Sequence, residues 1–416
     1  MFIGRQNELK ELSNLWHLKK SSLVVCRGRR RIGKSQLIHE FGKTANHFYE
    51  IQGLPPRKNQ TKDDQINHFY EELYRYFKYK PEVNQINWPS AFRGLAESLS
   101  RKRKIVVLLD EISWMSQDAH DFAGYLKIAW DTLFSRMSDV ILILCGSVST
   151  WIEENILNST AFVGRVSLTI SLEELSLSES IQMLTNHKKS NLEKVKLLCL
   201  TGGVPKYIEE INPKLSFYEN TNKQFFSKNG FLFKDYKEIF NDIFLKKSDS
   251  YRQIIETLID GSKSVTEIAR SLKIQKGGLI SKYLHALVVS GFVDEDHTYS
   301  PGAKKRKTSY FRIKDNYLRF YLKYVWPHKD EIEKGTYSLA NLESLRGLDS
   351  ILGLQFESLI LNNRILLLKK MNLDLSRIKS ISPYSQKKTA RTTGACQIDL
   401  LIELEGYEVI ICEIKL

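Results

Sequence analysis

Cysteine is scarce, with five in 416 residues: Cys26, Cys145, Cys199, Cys396 and Cys412. An odd number at wide spacing fits neither a disulfide framework nor a zinc site. Most sit in apolar, strand-like runs, so buried free thiols in a reducing compartment are expected. No apolar run is long enough to span a bilayer, and Met1 does not open a signal-peptide pattern. There is no internal repeat and no low-complexity tract. The expectation is a cytoplasmic protein that uses no membrane. Negative charge is also short, 48 Asp and Glu against 62 Lys and Arg, for a net charge of +14 and a pI near 9.3. That balance suits polyanionic partners such as nucleic acid, and equally a lysine-rich surface kept for solubility.

What is present is ordinary for a globular chain, 42% hydrophobic and 26% charged, and its length suggests about two to three domains. Short, wholly apolar runs recur between helical stretches: Ser22 to Cys26, Ile105 to Leu109 and Val140 to Cys145, with His47 to Ile51 as a further strand. Helices are expected at Leu9 to Lys19, from Gln36, at Asp64–Phe77 and Ala91–Arg101, and over Asp121 to Arg136. Such runs are the signature of a parallel sheet covered on both faces, hence α/β. Residues 173–245 read as an all-helical lid. Residues 246–315 read as three short helices and a hairpin, the winged-helix arrangement. Residues 316–416 hold an aromatic-rich helix, a helix at Leu352–Lys370, and two strands, Gln397–Glu403 and Val409–Lys415, turning at Glu405-Gly406-Tyr407.

Gly28-Arg29-Arg30-Arg31-Ile32-Gly33-Lys34-Ser35 fits G-x-x-x-x-G-K-[ST]. It lies between an apolar strand and a helix that continues through Gln36. The glycines let successive N–H groups point inward at phosphate oxygens, and the helix start adds its positive end. Lys34 is placed to reach the β- and γ-phosphates, and the Ser35 hydroxyl to ligate magnesium. Asp110 and Glu111 follow the Ile105–Leu109 strand, the first suited to magnesium and the second to orienting and deprotonating a water. Ser147, after the next strand, is either a γ-phosphate contact or part of a common Gly-Ser turn. Arg165 is either a charge-stabilising arginine or a solvated loop residue. Thr61-Lys62-Asp63-Asp64 matches a guanine-reading string but opens a helix before the Asp110 strand, so ATP is the expected nucleotide.

With these residues in place the chain resembles the archaeal-type ATPases, close to the signal-transducing (STAND) side of the AAA+ class, that carry a winged helix and a C-terminal restriction-nuclease-like domain. Phe2-Ile3-Gly4-Arg5 resembles the family's opening stretch near the adenine, with Gln6 where Glu is usual. Gly202-Gly203-Val204-Pro205 resembles its lid motif, which implies Pro205 near the nucleotide. Tyr310-Phe311-Arg312-Ile313 with Asp315 and Phe320 resembles the link to the C-terminal domain. The implied architecture is a P-loop ATPase core over residues 1–172, the lid, the winged helix and an α/β nuclease-like domain over 316–416.

Glu413 and Lys415 lie two apart on a predicted strand, so they share a face about 7 Å apart. If Glu405-Gly406-Tyr407 is the turn, Asp399 lies opposite Glu413 on the same face. Two carboxylates and a lysine there can bind a divalent ion and activate water for phosphodiester cleavage. A plain hairpin with cross-strand salt bridges fits the same spacing. The set resembles the PD-(D/E)XK motif, and Glu357 matches the helix glutamate that joins the metal shell. The chain stops one residue after Lys415, where the nuclease fold continues, so either a truncated version or an incomplete sequence is expected. Lys273, Lys276 and Lys282 on or near the third short helix, with Lys304, Lys305, Arg306 and Lys307 on the wing, suit a DNA backbone, and the module suits interdomain packing as well. Tyr317, Phe320, Tyr321, Tyr324 and Trp326 recur at helical spacing and are read as core. The chain is thus expected to bind ATP and Mg2+, to hydrolyse ATP, and to face DNA, with oligomerisation left open. The rival expectation is an ATP-dependent switch or DNA-binding regulator with an inactive nuclease-like scaffold.

Overall fold

The computed structural model describes residues 2–416 other than 58, 83–85, 101, 118, 120, 148, 245–247, 275–276, 298–308, 338–343, 387–393, 395 and 407. Lys276, Lys304, Lys305, Arg306, Lys307 and Tyr407 therefore lie outside the described residues. The chain divides into two units, Met1–Glu173 and Glu174–Leu416.

The first unit is built on a parallel sheet of β1 (Ser22–Arg27), β2 (His47–Gln52), β3 (Ile105–Asp110), β4 (Val140–Gly146) and β5 (Val166–Ser171), in the order β2–β3–β4–β1–β5. The apolar strands are buried on both faces because successive side chains alternate sides. Ile105, Val107 and Leu109 join one core with Phe69, Phe92 and Phe122. Val106 and Leu108 join a second with Leu12, Leu37 and Phe41. β5 has no place among the strands read from sequence. It is an edge strand whose residues alternate between exposed and covered, so it lacks a continuous apolar run. The helix expected from Ala91 begins at Trp88, because the Asn87 side chain accepts from Ser90 N at 2.9 Å and Pro89 occupies the first turn. Thr61 and Asp64 form a capping box for the helix Lys62–Phe77, which occupies both side chains of the apparent guanine-reading string.

In the second unit, helices run from Leu177–Met183 to Phe231–Phe244, followed by Ser248–Glu256, Val265–Ser271 and Gly278–Val289. A small antiparallel sheet of β6 (Lys263–Ser264), β7 (Val293–His297) and β8 (Ser309–Ile313) follows, ordered β6–β8–β7. Tyr317, Phe320, Tyr321 and Tyr324 are buried in one core with Phe225, Leu284, Phe292 and Phe311, and Trp326 packs against it. The aromatic run is packing.

The last sheet is antiparallel, β9 (Ile378–Gln386), β10 (Cys396–Leu404) and β11 (Val409–Cys412), with β10 in the middle. β9 has no place in the sequence reading because Ser380, Ser382 and Pro383 break its apolar pattern, and its pairing with β10 shifts register between Ile398 and Leu401. The strand expected through Lys415 ends at Cys412, since Asp399 Oδ2 accepts the Ile414 N–H at 2.8 Å in place of a ladder partner. Cys26, Cys145 and Cys199 are buried free thiols. Cys396, at the start of β10, is exposed. Among the described residues no helix is by itself long and apolar enough to cross a membrane.

Candidate functional site

β1, β4 and β3 lie side by side, and the sequence places a functional residue at the C-terminal end of each: the glycine loop after Arg27, Ser147 after Gly146, and Asp110. In open parallel sheets this carboxyl edge is where ligands bind. Gly28 has φ 150°, and a Cβ there would stand 2.4 Å from the Leu172 carbonyl oxygen. Only glycine lets the loop pass that close. Gly33, at φ 91°, turns the chain into the helix Lys34–Gly42. Arg31 is also left-handed, at φ 68°. Ile32 is buried in the core beneath and anchors the loop.

The buried Lys34 ammonium donates to the Gly28 and Arg29 carbonyl oxygens at 2.8 and 3.0 Å, so its charge sits inside the curl of the loop. Ser35 Oγ donates to Asp110 Oδ2 at 2.8 Å, and Asp110 Oδ1 accepts the Glu111 N–H at 3.0 Å. Glu111 is itself left-handed, at φ 49°. Its Oε2 accepts from Ser147 N at 3.1 Å and from Ser147 Oγ at 2.9 Å. Lys34, Ser35, Asp110, Glu111 and Ser147 thus form one site. The curl of amides and the buried lysine fit a triphosphate, and the adjoining hydroxyl and carboxylate fit a hard divalent cation.

Other expected residues fall differently. Arg5, buried and left-handed at φ 61°, donates from NH2 to the Ile32 carbonyl at 3.3 Å and the Glu173 carbonyl at 2.5 Å. It braces the phosphate loop from behind, a role with no signal in the sequence. Phe2 packs on the same core, and Gly4, at φ 75°, turns the chain ahead of Arg5. Arg29 is buried, Arg30 stacks over Trp114 at 5.7 Å, and Gln36 points to solvent. Arg165 is held by Asp131, Nε to Oδ1 at 2.6 Å and NH2 to Oδ2 at 2.9 Å, which keeps the Asp131 carboxyl down at about 2. Pro205, in the second unit, opens the helix Pro205–Glu209.

The C-terminal residues are less gathered. The register Leu400↔Cys412 does place Asp399 across from Glu413, but beyond Cys412 the chain leaves the strand. Glu413 pairs with Lys415 at 2.8 Å, and both are more than two-thirds exposed. Glu357 lies near enough to Asp399 for burial and that charge together to raise its carboxyl above the ordinary value. Among the described residues no group of three or more His, Cys, Asp or Glu side chains is placed to hold a metal, so the expected trio of Glu357, Asp399 and Glu413 is not assembled.

Strand order, glycine cradle and paired carboxylates define a P-loop ATPase fold. Residues 2–211, half of the chain, match the family described as "ATPase domain predominantly from Archaea", and the chain belongs to that family. It is 23% identical over 375 residues to the uncharacterized protein MJECL04 of Methanocaldococcus jannaschii, covering 89% of this chain and 79% of that one. A shorter stretch of 41 residues, 10% of this chain, is 44% identical to the uncharacterized ATP-binding protein MJ0423 of the same organism and covers 70% of it. The fold is similar to that of the Walker-type ATPase PABY2304 of Pyrococcus abyssi, with a TM-score of 0.56 at 16% identity over 77% of this chain and 96% of that one.

Proposed function

We propose that the chain hydrolyses ATP with magnesium, and that nucleotide state is coupled to a DNA-facing C-terminal half. The observation that carries the first part is the bond network running Lys34, Ser35, Asp110, Glu111 and Ser147 at the ends of three neighbouring strands. Gly28 to Gln36 would cradle the phosphates and Lys34 would meet the β- and γ-oxygens, while Ser35 and Asp110 would hold the cation. Magnesium, when bound, supplies charge neutralisation on the phosphates. Glu111 is the base that orients and deprotonates the attacking water, and Ser147 holds its carboxylate in place. Phe2, Gly4 and Arg5 belong to the nucleotide's surroundings in this reading, and Arg165, released from Asp131, to charge stabilisation.

Residues 246–315 are read as a winged helix whose exposed Lys273 and Lys282 track a DNA backbone. Within residues 316–416, the nearness of Glu357 and Asp399 supports a nuclease-like site, which Glu413 and Lys415 would have to turn inward to complete. One observation favours the rival, an ATP-dependent switch with an inactive nuclease-like scaffold: Glu413 and Lys415 pair with each other in solvent.

Steady-state hydrolysis with magnesium separates the two. The Glu111→Gln variant is expected to bind ATP as the wild type does while its turnover falls about a hundredfold or more. Equal turnover in the two proteins would remove Glu111 from its assigned role, and negligible turnover in the wild type would leave the switch.

A further inference from the structure

The amino ends of the parallel strands lie at the edge of the first unit's sheet opposite the phosphate loop, about 20 Å from it along strands of six or seven residues. The turns that enter them are basic. Lys19 and Lys20 lead into β1, Lys102, Arg103 and Lys104 into β3, and Arg136 stands shortly before β4. β3, β4 and β1 are consecutive neighbours in the sheet, so these turns stand in a row. Three acids lie close by in the chain. Asp139 is 3.9 Å from Arg103, while Glu11 and Glu97, exposed in the last turns of the helices Gln6–Asn14 and Trp88–Leu99, pair with none of these cations. Six cations thus meet three acids. Lys19, Lys20, Lys102, Lys104 and Arg136 pair with no carboxylate among the described residues.

A cation near a helix C-terminus is ordinary, because it offsets the carbonyl dipoles there. Three in succession after the one helix Trp88–Leu99 exceed that need. Lys19 and Lys104 are moreover left-handed, at φ 49° and 52°, where glycine or asparagine is less strained. Rings brace two of the ammoniums: Lys104 stands over Trp16 at 5.6 Å, and Lys102 over Tyr49 and Phe77 at 5.7 Å each. Such contacts steady a long side chain without cancelling its charge.

We propose that this amino-terminal edge of the sheet is a docking face for a nucleic-acid strand, whose phosphates are met by Lys19, Lys20, Lys102, Lys104 and Arg136. Neighbouring strands are about 4.8 Å apart, so the row from β3 to β1 is about 10 Å long. One strand of a duplex carries a charge about every 3.4 Å along the axis, and about three phosphates match that row. A narrow row suits a strand, whereas an anionic bilayer calls for a broad plane. The face is separate from the phosphate loop and from Lys273 and Lys282, so it stands whether or not those readings hold.

Binding of a fluorescent duplex, and of its single strand, to the full chain is measured by anisotropy across a salt series, the tighter of the two carrying the test. The triple variant Lys20→Gln/Lys102→Gln/Lys104→Gln is expected to bind roughly tenfold or more weakly near 0.1 M salt. Its slope of log K against log salt is expected to be shallower by about two to three. A control, Lys188→Gln/Lys228→Gln/Lys237→Gln, removes the same charge from exposed sites in the second unit and is expected to change binding less than about twofold. No binding by the wild type, an equal loss in the control, or an unchanged slope in the triple variant would overturn the face. So would a loss confined to Lys273→Gln/Lys282→Gln, which would leave the winged-helix reading standing. Tighter binding to phosphatidylserine vesicles than to either oligonucleotide, lost in the same triple variant, would overturn it in favour of a lipid surface. Should the triple variant fail to fold, acetic-anhydride labelling of the wild type decides. The bound oligonucleotide is expected to protect Lys20, Lys102 and Lys104, and unchanged labelling would contradict the site.

Discussion

The two carboxylate sites of this chain both lie beside apolar runs in the sequence, and they differ as structures. In the first unit, Asp110 and Glu111 end a fully buried strand, and each carboxylate is fixed by a bond to Ser35 or Ser147. In the second, Asp399 caps the Ile414 N–H while Glu413 and Lys415 face solvent. The difference is one of scaffolding. Strands covered on both faces hold a side chain where the chemistry needs it. A strand that ends before its functional residues leaves them to solvent and to each other.

The sharpest way to break this contrast is at Lys34. Lys34→Ala removes the ammonium that bonds the Gly28 and Arg29 carbonyls inside the loop, and ATP turnover is expected to fall about a thousandfold, read by phosphate release. Next is Gly28→Ala, whose Cβ would meet the Leu172 carbonyl oxygen at 2.4 Å. Strain of about 1–3 kcal/mol is expected, seen as a lower Tm and weakened nucleotide binding. Retained stability and affinity would mean that the loop is looser than its fit against Leu172 implies.

The second site can be sharpened with DNA and manganese. Asp399→Ala is expected to abolish any cleavage by the wild type, and no cleavage by either protein would reduce this segment to a scaffold. Glu357→Gln tests the same region by pH. Because the folded-state carboxyl of Glu357 is raised, its protonated form is favoured in the folded state, and the stability so gained is lost as pH rises through that value. The variant is therefore expected to melt slightly higher than the wild type at neutral pH, with the difference fading in acid. The smallest effect is at Asp131, held low by Arg165: its contribution is present above the ordinary carboxylate range and lost as pH falls toward 2. Asp131→Asn is expected to cost under about 1 kcal/mol at neutral pH, since the pair is partly solvated.

Much of the first unit was legible in the sequence, because its signals are local. Ser22 to Ser35 encodes strand, curl and helix within one short stretch, and Ile105–Glu111 encodes a buried strand with its acids at the end. What escaped depends on partners far along the chain. Arg5 braces Ile32 and Glu173 through a left-handed turn that no periodicity marks. The Glu111–Ser147 bond needs β3 and β4 to be neighbours, which is known only from the strand order. In the second unit the β10–β11 register followed from alternation, but the end of β11 is decided by a side chain, Asp399, that competes for a backbone N–H. β9 was hidden by Pro383 and its serines.

Calorimetric titration of ATP into the full chain with magnesium tests the central claim most directly. One saturable site per chain is expected, lost in Lys34→Ala and kept in Glu111→Gln. An equal heat of binding in wild type and Lys34→Ala, or none in the wild type at millimolar ATP, would contradict a nucleotide cradle between Arg27 and Gln36.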